Sequence, residues 1–375
     1  MARNGILVVN DGQLRQTINA FLRELLDKKL VEAVLVPLRH PSGDSVAAAL
    51  LTDPAQLDKA DVMAPLMPVN GARIVSAMTK FGAPGKKIAV VLRPCELRAL
   101  IELVKLKQAS PDNLILIGVD CHGVYPLTRY RQFIADKSSD DFVSASRQQG
   151  EDPDLRSGCQ ICEYPAPLAS DLTIGFFGLD PKKALLLEAG TPKGEELLGK
   201  LSLGGAASGQ VGARAQAVSR LLSDRKSKRQ KFFAQAKQDI GGPQKLLALF
   251  SACIKCHNCR KACPICYCRE CFFESPTFDL EADRYLRTAE RKGAIRMPAN
   301  TLLFQVTRMS HVGASCVGCG CCEEACPQSI PLLKIFQLTA DSVQKLFDYT
   351  PGRSLDDKLP PAAFKEDELT SIGEK

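Results

Sequence analysis

The sequence predicts an α/β fold class, in which a mainly parallel sheet domain is followed by a mostly helical domain built on two cysteine loops. Three observations carry this expectation. Short apolar runs alternate with helix-spaced stretches from Gly5 to Val119, the pattern of a parallel sheet covered on both faces. Beyond residue 213 the pattern is helical and charged. Within that part, Cys253-Ile-Lys-Cys256-His-Asn-Cys259-Arg-Lys-Ala-Cys263-Pro264 repeats as Cys316-Val-Gly-Cys319-Gly-Cys-Cys322-Glu-Glu-Ala-Cys326-Pro327, both reading C-x2-C-x2-C-x3-C-P.

Taken in order, Gly5–Val9 reads as a strand. Leu14 to Leu30 carries Leu14, Ile18, Phe21, Leu22, Leu25 and Leu26 at helical spacing, and Val31–Leu38 reads as a second strand. Pro41-Ser-Gly-Asp starts a loop, and Asn70 to Phe81 reads as a helix. Lys87–Leu92 is a buried-type strand, Cys95–Leu106 a helix with Leu97, Leu100, Ile101 and Val104 on one side, and Leu114–Val119 another strand. Asp171 to Gly178 is again strand-like. Lys193 to Gly212, rich in glycine, alanine and serine, reads as a hinge or loop; its Gly194-x4-Gly199-Lys200-Leu201 misses the Ser/Thr of a phosphate loop. No dinucleotide fingerprint occurs.

Residues 213–252 read as two helices broken at Gly241-Gly242-Pro243. A helix-like Asp279–Lys292 and the apolar stretch from Thr301 to Met309 lie between the cysteine loops. A helix is expected over Leu332–Phe347, and a Pro/Lys/Asp/Glu-rich tail from Pro351 as an extended or disordered end. The expected division is 1–192 for the α/β domain, 193–245 for linker and helices, 246–348 for the two-loop domain and 349–375 for the tail.

The repeated cysteine run is the one that wraps a cubane [4Fe–4S] cluster. Three thiolates on one tight loop take three corners, and the fourth, ahead of proline, typically reaches across to the other cluster. Cys253, Cys256, Cys259 and Cys326 are therefore expected on one cluster, and Cys316, Cys319, Cys322 and Cys263 on the other. Zinc sites use two separated C-x2-C pairs or mixed Cys/His sets and do not call for a third cysteine three residues on with x3-C-P. The interval between the loops is longer than in a compact bacterial-type ferredoxin and lacks its β-strands, which favours a helical ferredoxin-like domain.

Further cysteines sit at expected strand ends. Arg93-Pro94-Cys95-Glu96 turns out of one strand into a helix, and Asp120-Cys121-His122-Gly123 leaves the next strand the same way. Arg156-Ser-Gly-Cys159-Gln-Ile-Cys162 precedes another strand-like run. The sheet would bring Cys95, Cys121, Cys159 and Cys162 together as ligands of a third [4Fe–4S] cluster. By spacing alone, buried small hydrophobes or a zinc site fit these four equally well. Cys266, Cys268, Cys271 and Cys321 remain; they fit a fourth metal site or thiols that tune potential.

Composition excludes several classes. The chain has 375 residues, enough for two or three domains with real cores. Its first apolar run is too short for a signal h-region and no later run approaches a membrane span, so no transmembrane segment is expected. Sixteen cysteines without an export signal point to a reducing cytoplasm. The net charge of +7 invites a nucleic-acid reading, with Arg225-Lys226-Ser-Lys228-Arg229-Gln-Lys231 its densest run. That run lacks an aromatic platform, so it reads as a solvated helix face or a dock for an acidic protein, and no nucleic acid is expected as partner.

Arg93-Pro94-Cys95-Glu96-Leu-Arg-Ala-Leu100, Gly118-Val-Asp-Cys121, Cys159-Gln-Ile-Cys162 and Ser170-Asp171-Leu-Thr-Ile-Gly175, in this order, resemble the cysteine and A-D-[IL]-x-x-G-D pattern of the coenzyme F420-reducing hydrogenase and formate dehydrogenase beta-subunit family. The resemblance spans roughly residues 60–190. It implies FAD beside an iron–sulfur cluster, with Cys95, Cys121, Cys159 and Cys162 as that cluster's ligands. It also implies electron exchange between a partner's metal chain and a hydride carrier. Two departures matter: Phe176 stands where the pattern has aspartate, and the two-cluster domain resembles heterodisulfide-reductase-type subunits.

Clusters pass single electrons whereas coenzyme F420 or NAD(P) carries a hydride, and a flavin converts between the two. For flavin contacts, Asn70, Gly71 and Arg73 at a helix start and Arg93 at a strand end are the candidates. The expected function is an iron–sulfur flavoprotein subunit of a complex with a hydrogenase, formate dehydrogenase or heterodisulfide-reductase-like partner. The alternative is a polyferredoxin-like electron relay with no flavin or substrate of its own.

Overall fold

The computed structural model describes residues 4–148, 152–201, 203–206, 208–278, 281–293 and 300–362. The chain opens with β1 (Asn4–Val8), α1 (Leu14–Asp27), β2 (Ala33–Arg39) and β3 (Val46–Leu51). Next come α2 (Gly71–Thr79), β4 (Ile88–Leu92), α3 (Pro94–Lys105) and β5 (Leu114–Val119). Helices α4 (Leu127–Asp136), α5 (Ser139–Gln148) and α6 (Ser157–Gln160) lead to β6 (Leu172–Gly175), β7 (Ala184–Ala189), α7 (Pro192–Gly199) and β8 (Gly204–Gly205). The remainder is helical: α8 (Ser208–Ile240), α9 (Pro243–Leu249), α10 (Asn258–Ala262), α11 (Ala282–Lys292), α12 (Asn300–Val312), α13 (Cys321–Glu324) and α14 (Leu332–Leu346). The helix expected over Asp279–Lys292 starts outside the described residues, and the expected tail leaves them after residue 362.

The strands form one sheet in the order β3-β2-β4-β5-β6-β7-β1-β8. Its centre, β2-β4-β5-β6, is parallel, with Ile88 opposite Leu114 and Val119 opposite Ile174. Every residue of β4 and β5 is buried, because helices cover both faces; their unbroken Ile/Val/Leu runs are the sequence consequence. Antiparallel strands finish both flanks: β3 returns from β2, and β7, β1 and β8 follow β6. The loop expected at Pro41 is the tip of the β2–β3 hairpin, where Gly43 takes φ 77° and donates to the His40 carbonyl at 2.8 Å. β3 itself was not expected, since Val46-Ala-Ala-Ala-Leu-Leu has weak strand preference and forms by pairing with β2.

Two apolar layers cover the sheet. On one face, Ile18, Phe21, Leu22 and Leu25 of α1 pack with Val34, Ile117 and Leu172. On the other, Val75 and Leu100 of α2 and α3 share a core with Phe250, Phe304 and Phe336 of the helical half. The cysteine loops are thus built on the layer that covers the sheet, and the buried set runs across the boundary expected near residue 246.

Two buried carboxylates fix that layer. Glu96 accepts the Arg93 N–H at 2.8 Å through Oε2 and the Gly71 N–H at 2.8 Å through Oε1, so one side chain starts both α2 and α3. Glu102 pairs with Lys105 at 2.8 Å and accepts from the Tyr349 hydroxyl at 2.6 Å and the Gly352 N–H at 2.8 Å. Pro351 and Gly352 are buried, so the expected tail begins as a strap latched to α3. Glu102→Ala leaves Lys105 buried without its partner and should cost about 3–5 kcal/mol, read as a lower Tm. An unchanged Tm would show that the latch carries no load.

The loop expected over Lys193–Gly212 is largely helical, as α7 and the start of α8. Thr191 accepts the Gly194 N–H at 3.3 Å and Pro192 takes the first helical position, start signals that outweigh the glycine content. Gly194 serves packing: a Cβ there would lie 1.7 Å from the Asp171 carbonyl oxygen. Among the described residues, no helix is long and apolar enough to cross a membrane.

Candidate metal centres and the cleft beside them

The two cysteine loops share one backbone. Lys255 and His257 in the first both take φ 58°, and Gly318 and Gly320 at the matching places in the second take φ 72° and 73°. These left-handed residues turn the chain around each cysteine group before the short helices α10 and α13, which pack together. Lysine and histidine pay a steric penalty there that glycine avoids. In the second loop Gly318 has a further reason, since a Cβ would lie 2.9 Å from Gln337 Nε2.

Donors aim at the sulfurs. Arg308 Nη1 reaches Cys259 Sγ at 3.1 Å and Nη2 reaches the Cys259 carbonyl at 3.1 Å, while Gln337 Nε2 reaches Cys316 Sγ at 3.5 Å. Arg308 is 4% exposed, its Nε has no partner, and among the described residues it has no carboxylate partner. Its charge faces Cys259, Cys266, Cys263 and Cys322 instead. A buried guanidinium without a carboxylate needs another anion, and a thiolate-ligated cluster supplies one. Cys263 faces Cys322 of the second loop, Cys253 and Cys256 adjoin Cys259, and Cys316 and Cys319 adjoin Cys322. Cys326 is half-buried just beyond α13, packed against the helical core.

Cys95 in the first turn of α3, Cys121 beyond β5, Cys159 in α6 and Cys162 just after it all line one small cavity. The parallel centre of the sheet makes this possible, because β4 and β5 end on the same side. Burial, with Cys121 and Cys162 alongside, pushes the Cys159 thiol up to about 12, and burial likewise raises Cys95 and Cys121. Thiols in so dry a place keep their protons unless a cation displaces them. Among the described residues no three His, Cys, Asp or Glu side chains converge as tightly as one mononuclear ion requires. The corner thiolates of a cubane stand wider apart, around four irons and four sulfides.

Gly318 and Cys319 of the second loop also line this cavity, and Cys321 packs in one small buried cluster with Cys95 and Cys319. Cys321, Cys266 and Cys271 are packed among the cluster loops, and Cys268 is exposed. The hydrogen bond with Cys263 lowers the Cys266 thiol.

Arg225 of α8 lines the cavity as well; it is 1% exposed and donates to the carbonyls of His122 (2.6 Å) and Cys162 (3.2 Å). Arg229 pairs with Glu163 at 3.1 Å and Asp341 at 3.4 Å. The basic run expected as a solvated face or an acidic-protein dock is therefore in part an internal strap. Its helical spacing was the available signal, since Arg225 and Arg229 lie one turn apart.

Beyond Arg225 a cleft of about 430 Å³ opens at the ends of β5 and β6, lined by His122, Leu155, Phe176, Phe177, Ala217 and Arg220. Asp120 accepts the N–H groups of Phe176 (3.0 Å) and Phe177 (3.2 Å) and pairs with Arg214, fixing the turn after β6. His122 lies 5.2 Å from the Phe176 ring and 4.8 Å from the Phe177 ring, and burial, then Arg225, pulls it down to about 3, so it is neutral. The size suits a small cofactor, and the aromatic faces of Phe176 and Phe177 suit a planar ring beside the charged Asp152, Arg220 and Asp224.

The flavin candidates at the start of α2 have partners inside the protein. The Gly71 N–H is taken by Glu96, the Ala72 N–H by Asn70 Oδ1 at 3.1 Å, and the Arg73 N–H by the Asn70 carbonyl at 3.0 Å. The Arg73 guanidinium donates to the Cys263 carbonyl at 3.0 Å and the Asn70 amide reaches toward Cys319. These contacts seat the first cysteine loop against this helix end, and Asn70 Nδ2 has no hydrogen-bond partner among the described residues. Arg93 is 8% exposed, donates to the Ala64 carbonyl and stands between the cysteine cavity and a smaller apolar slot of about 230 Å³, which Gly71 also borders.

Residues 249–330 match the 4Fe-4S dicluster domain family. With the α/β sheet domain and its own cysteine cavity, the chain is similar to named formate dehydrogenase beta subunits, which are oxidoreductase subunits. In particular, the chain is 29% identical over 388 residues to the "F420-dependent formate dehydrogenase subunit beta" of Methanocaldococcus jannaschii, covering 96% of each protein. It is 28% identical to the "F420-dependent formate dehydrogenase 1 subunit beta" of Methanococcus maripaludis, covering 95% of this chain and 94% of that one. A chain of the F420-reducing [NiFe] hydrogenase complex of Methanosarcina barkeri aligns at a TM-score of 0.47 and 13% identity, over 63% of this chain and 92% of that chain.

Proposed function

We propose that this subunit moves electrons between a redox partner and a soluble hydride carrier, by way of two [4Fe–4S] clusters on the repeated loops, a third in the four-cysteine cavity and FAD in the aromatic cleft. The observation that carries the reading is the shared lining of the cavity: Cys319 belongs to the second loop, and Arg225 lines both cavity and cleft. FAD, when bound, supplies the conversion between single electrons and a hydride. The chain's own residues do the rest. Arg225 ties the inner loops to α8, and Asp120 sets the turn that presents Phe176 and Phe177. Neutral His122 stands against Phe176 and Phe177 in the cleft and adds no charge there. The names of the two relatives favour coenzyme F420 as carrier over NAD(P), and the cysteine content favours work in the cytoplasm.

Anaerobically purified protein should carry flavin and reduce coenzyme F420 or NAD(P) with reduced viologen as donor. Ala217→Trp, which fills the cleft, should lower flavin content at least several-fold and leave iron unchanged. Full flavin in that variant contradicts the cleft assignment. The second reading, a relay without flavin, is favoured by Phe176 and Phe177, whose buried rings fill the strand end where the family pattern has aspartate. It predicts viologen-reducible clusters with no flavin and no carrier reduction.

A further inference from the structure

We infer that the groove between the end of α2 and the first cysteine loop is the docking surface for a small, acidic electron-carrier protein. The inference rests on the proposed electron path and names its point of entry. The groove has a volume of about 470 Å³, and Arg73, Lys80, Arg260, Lys261 and Arg269 line it against one lining carboxylate, Glu274. Glu274 is already committed, paired with Arg260 at 2.8 Å and lying 3.6 Å from His257. The groove therefore presents a strong positive excess, which draws an acidic surface and accelerates its encounter.

Three features favour a protein over a small anion. Phe81 is 81% exposed, with Lys80 (5.0 Å) and Arg269 (4.9 Å) over its ring, and Tyr267 (40%) and Phe272 (62%) are exposed on the segment that follows Pro264. Aromatic side chains with arginine beside them are the composition of interface centres. The floor is made by Pro264, Cys266 and Cys268, and Arg73 grips the Cys263 carbonyl. A protein seated here would touch the cluster loop itself. Each encounter moves one electron: the carrier is oxidised by one, a cluster is reduced by one, and no bond or proton is exchanged.

The test uses the whole holoprotein and a reduced, acidic two-cluster ferredoxin of the bacterial type as probe, mixed anaerobically at low ionic strength. In the wild type the second-order rate should fall steeply with added salt. Lys80→Glu with Arg269→Glu should lower it at least tenfold and flatten the salt dependence, with Lys80→Gln and Arg269→Gln intermediate. Neither residue is a cysteine ligand, so iron content and reduction by the cationic methyl viologen radical should stay at wild-type levels. A ferredoxin rate and salt dependence unchanged by charge reversal would overturn the inference. So would inhibition by inorganic phosphate beyond that of chloride at equal ionic strength, which marks a small-anion site. Failure of viologen to reduce the wild-type protein would contradict the electron path itself, and the docking inference with it.

Discussion

Arg308→Met is expected to lower the midpoint potentials of the clusters proposed for the C-terminal loops and to reduce the iron they retain. Arg308 is buried with its guanidinium 3.1 Å from Cys259 Sγ, packed against Phe336 at 4.6 Å and Phe304 at 5.6 Å. Its charge faces cysteines of both loops. A cubane with four thiolates is an anion in both working oxidation states, more so when reduced, so a buried cation favours the reduced form. Removing one partner of a buried charge pair costs about 3–5 kcal/mol, enough to loosen α12 from the loops. Arg308→Lys keeps the charge but not the forked reach to sulfur and carbonyl, and should fall between. A redox titration followed by electron spin resonance, with iron analysis, reads both effects. Unchanged potentials and full iron would leave Arg308 with packing alone.

Arg225→Met should cost the cluster proposed for the four-cysteine cavity while sparing the two proposed for the repeated loops. Arg225 donates to the His122 and Cys162 carbonyls, one beside each of two inner cysteines. Leaving those buried acceptors without donors costs about 1–3 kcal/mol each and frees the loops that carry Cys121 and Cys162. The C-terminal loops are held separately, by Arg308, Gln337 and the packing of α10 on α13. Iron should therefore fall from about twelve to about eight atoms per chain, with flavin lost alongside. Full iron with unaltered spectra would show that α8 is not part of the inner centre.

How much of this was legible in the residues depended on how local the signal was. The apolar runs of β4 and β5 declare buried parallel strands, and the C-x2-C-x2-C-x3-C-P repeat declares its loops, because both are contiguous patterns. The gathering of Cys95, Cys121, Cys159 and Cys162 followed from a single rule, that parallel strands end on one side. β3 and the α7 helix were missed because pairing and capping outweighed composition there. The roles of Arg225 and Arg308 were hidden for a different reason: a buried arginine and a solvated one look alike until the surrounding elements are in place. The start of α2 has the residue types of a phosphate cradle, and only the assembled fold shows that the Gly71 N–H goes to Glu96, the Ala72 N–H to Asn70 Oδ1 and the Arg73 guanidinium to the Cys263 carbonyl.

The central claim is that this chain is a line of iron–sulfur centres ending beside a flavin, with the inner centre held by the sheet domain. Iron, sulfide and flavin determination on anaerobically prepared wild type and Cys121→Ser tests it most directly. The account predicts about twelve irons and one flavin in the wild type, and about eight irons in the variant with the dicluster signal kept. Equal iron in the two proteins, or zinc in place of iron, would contradict it.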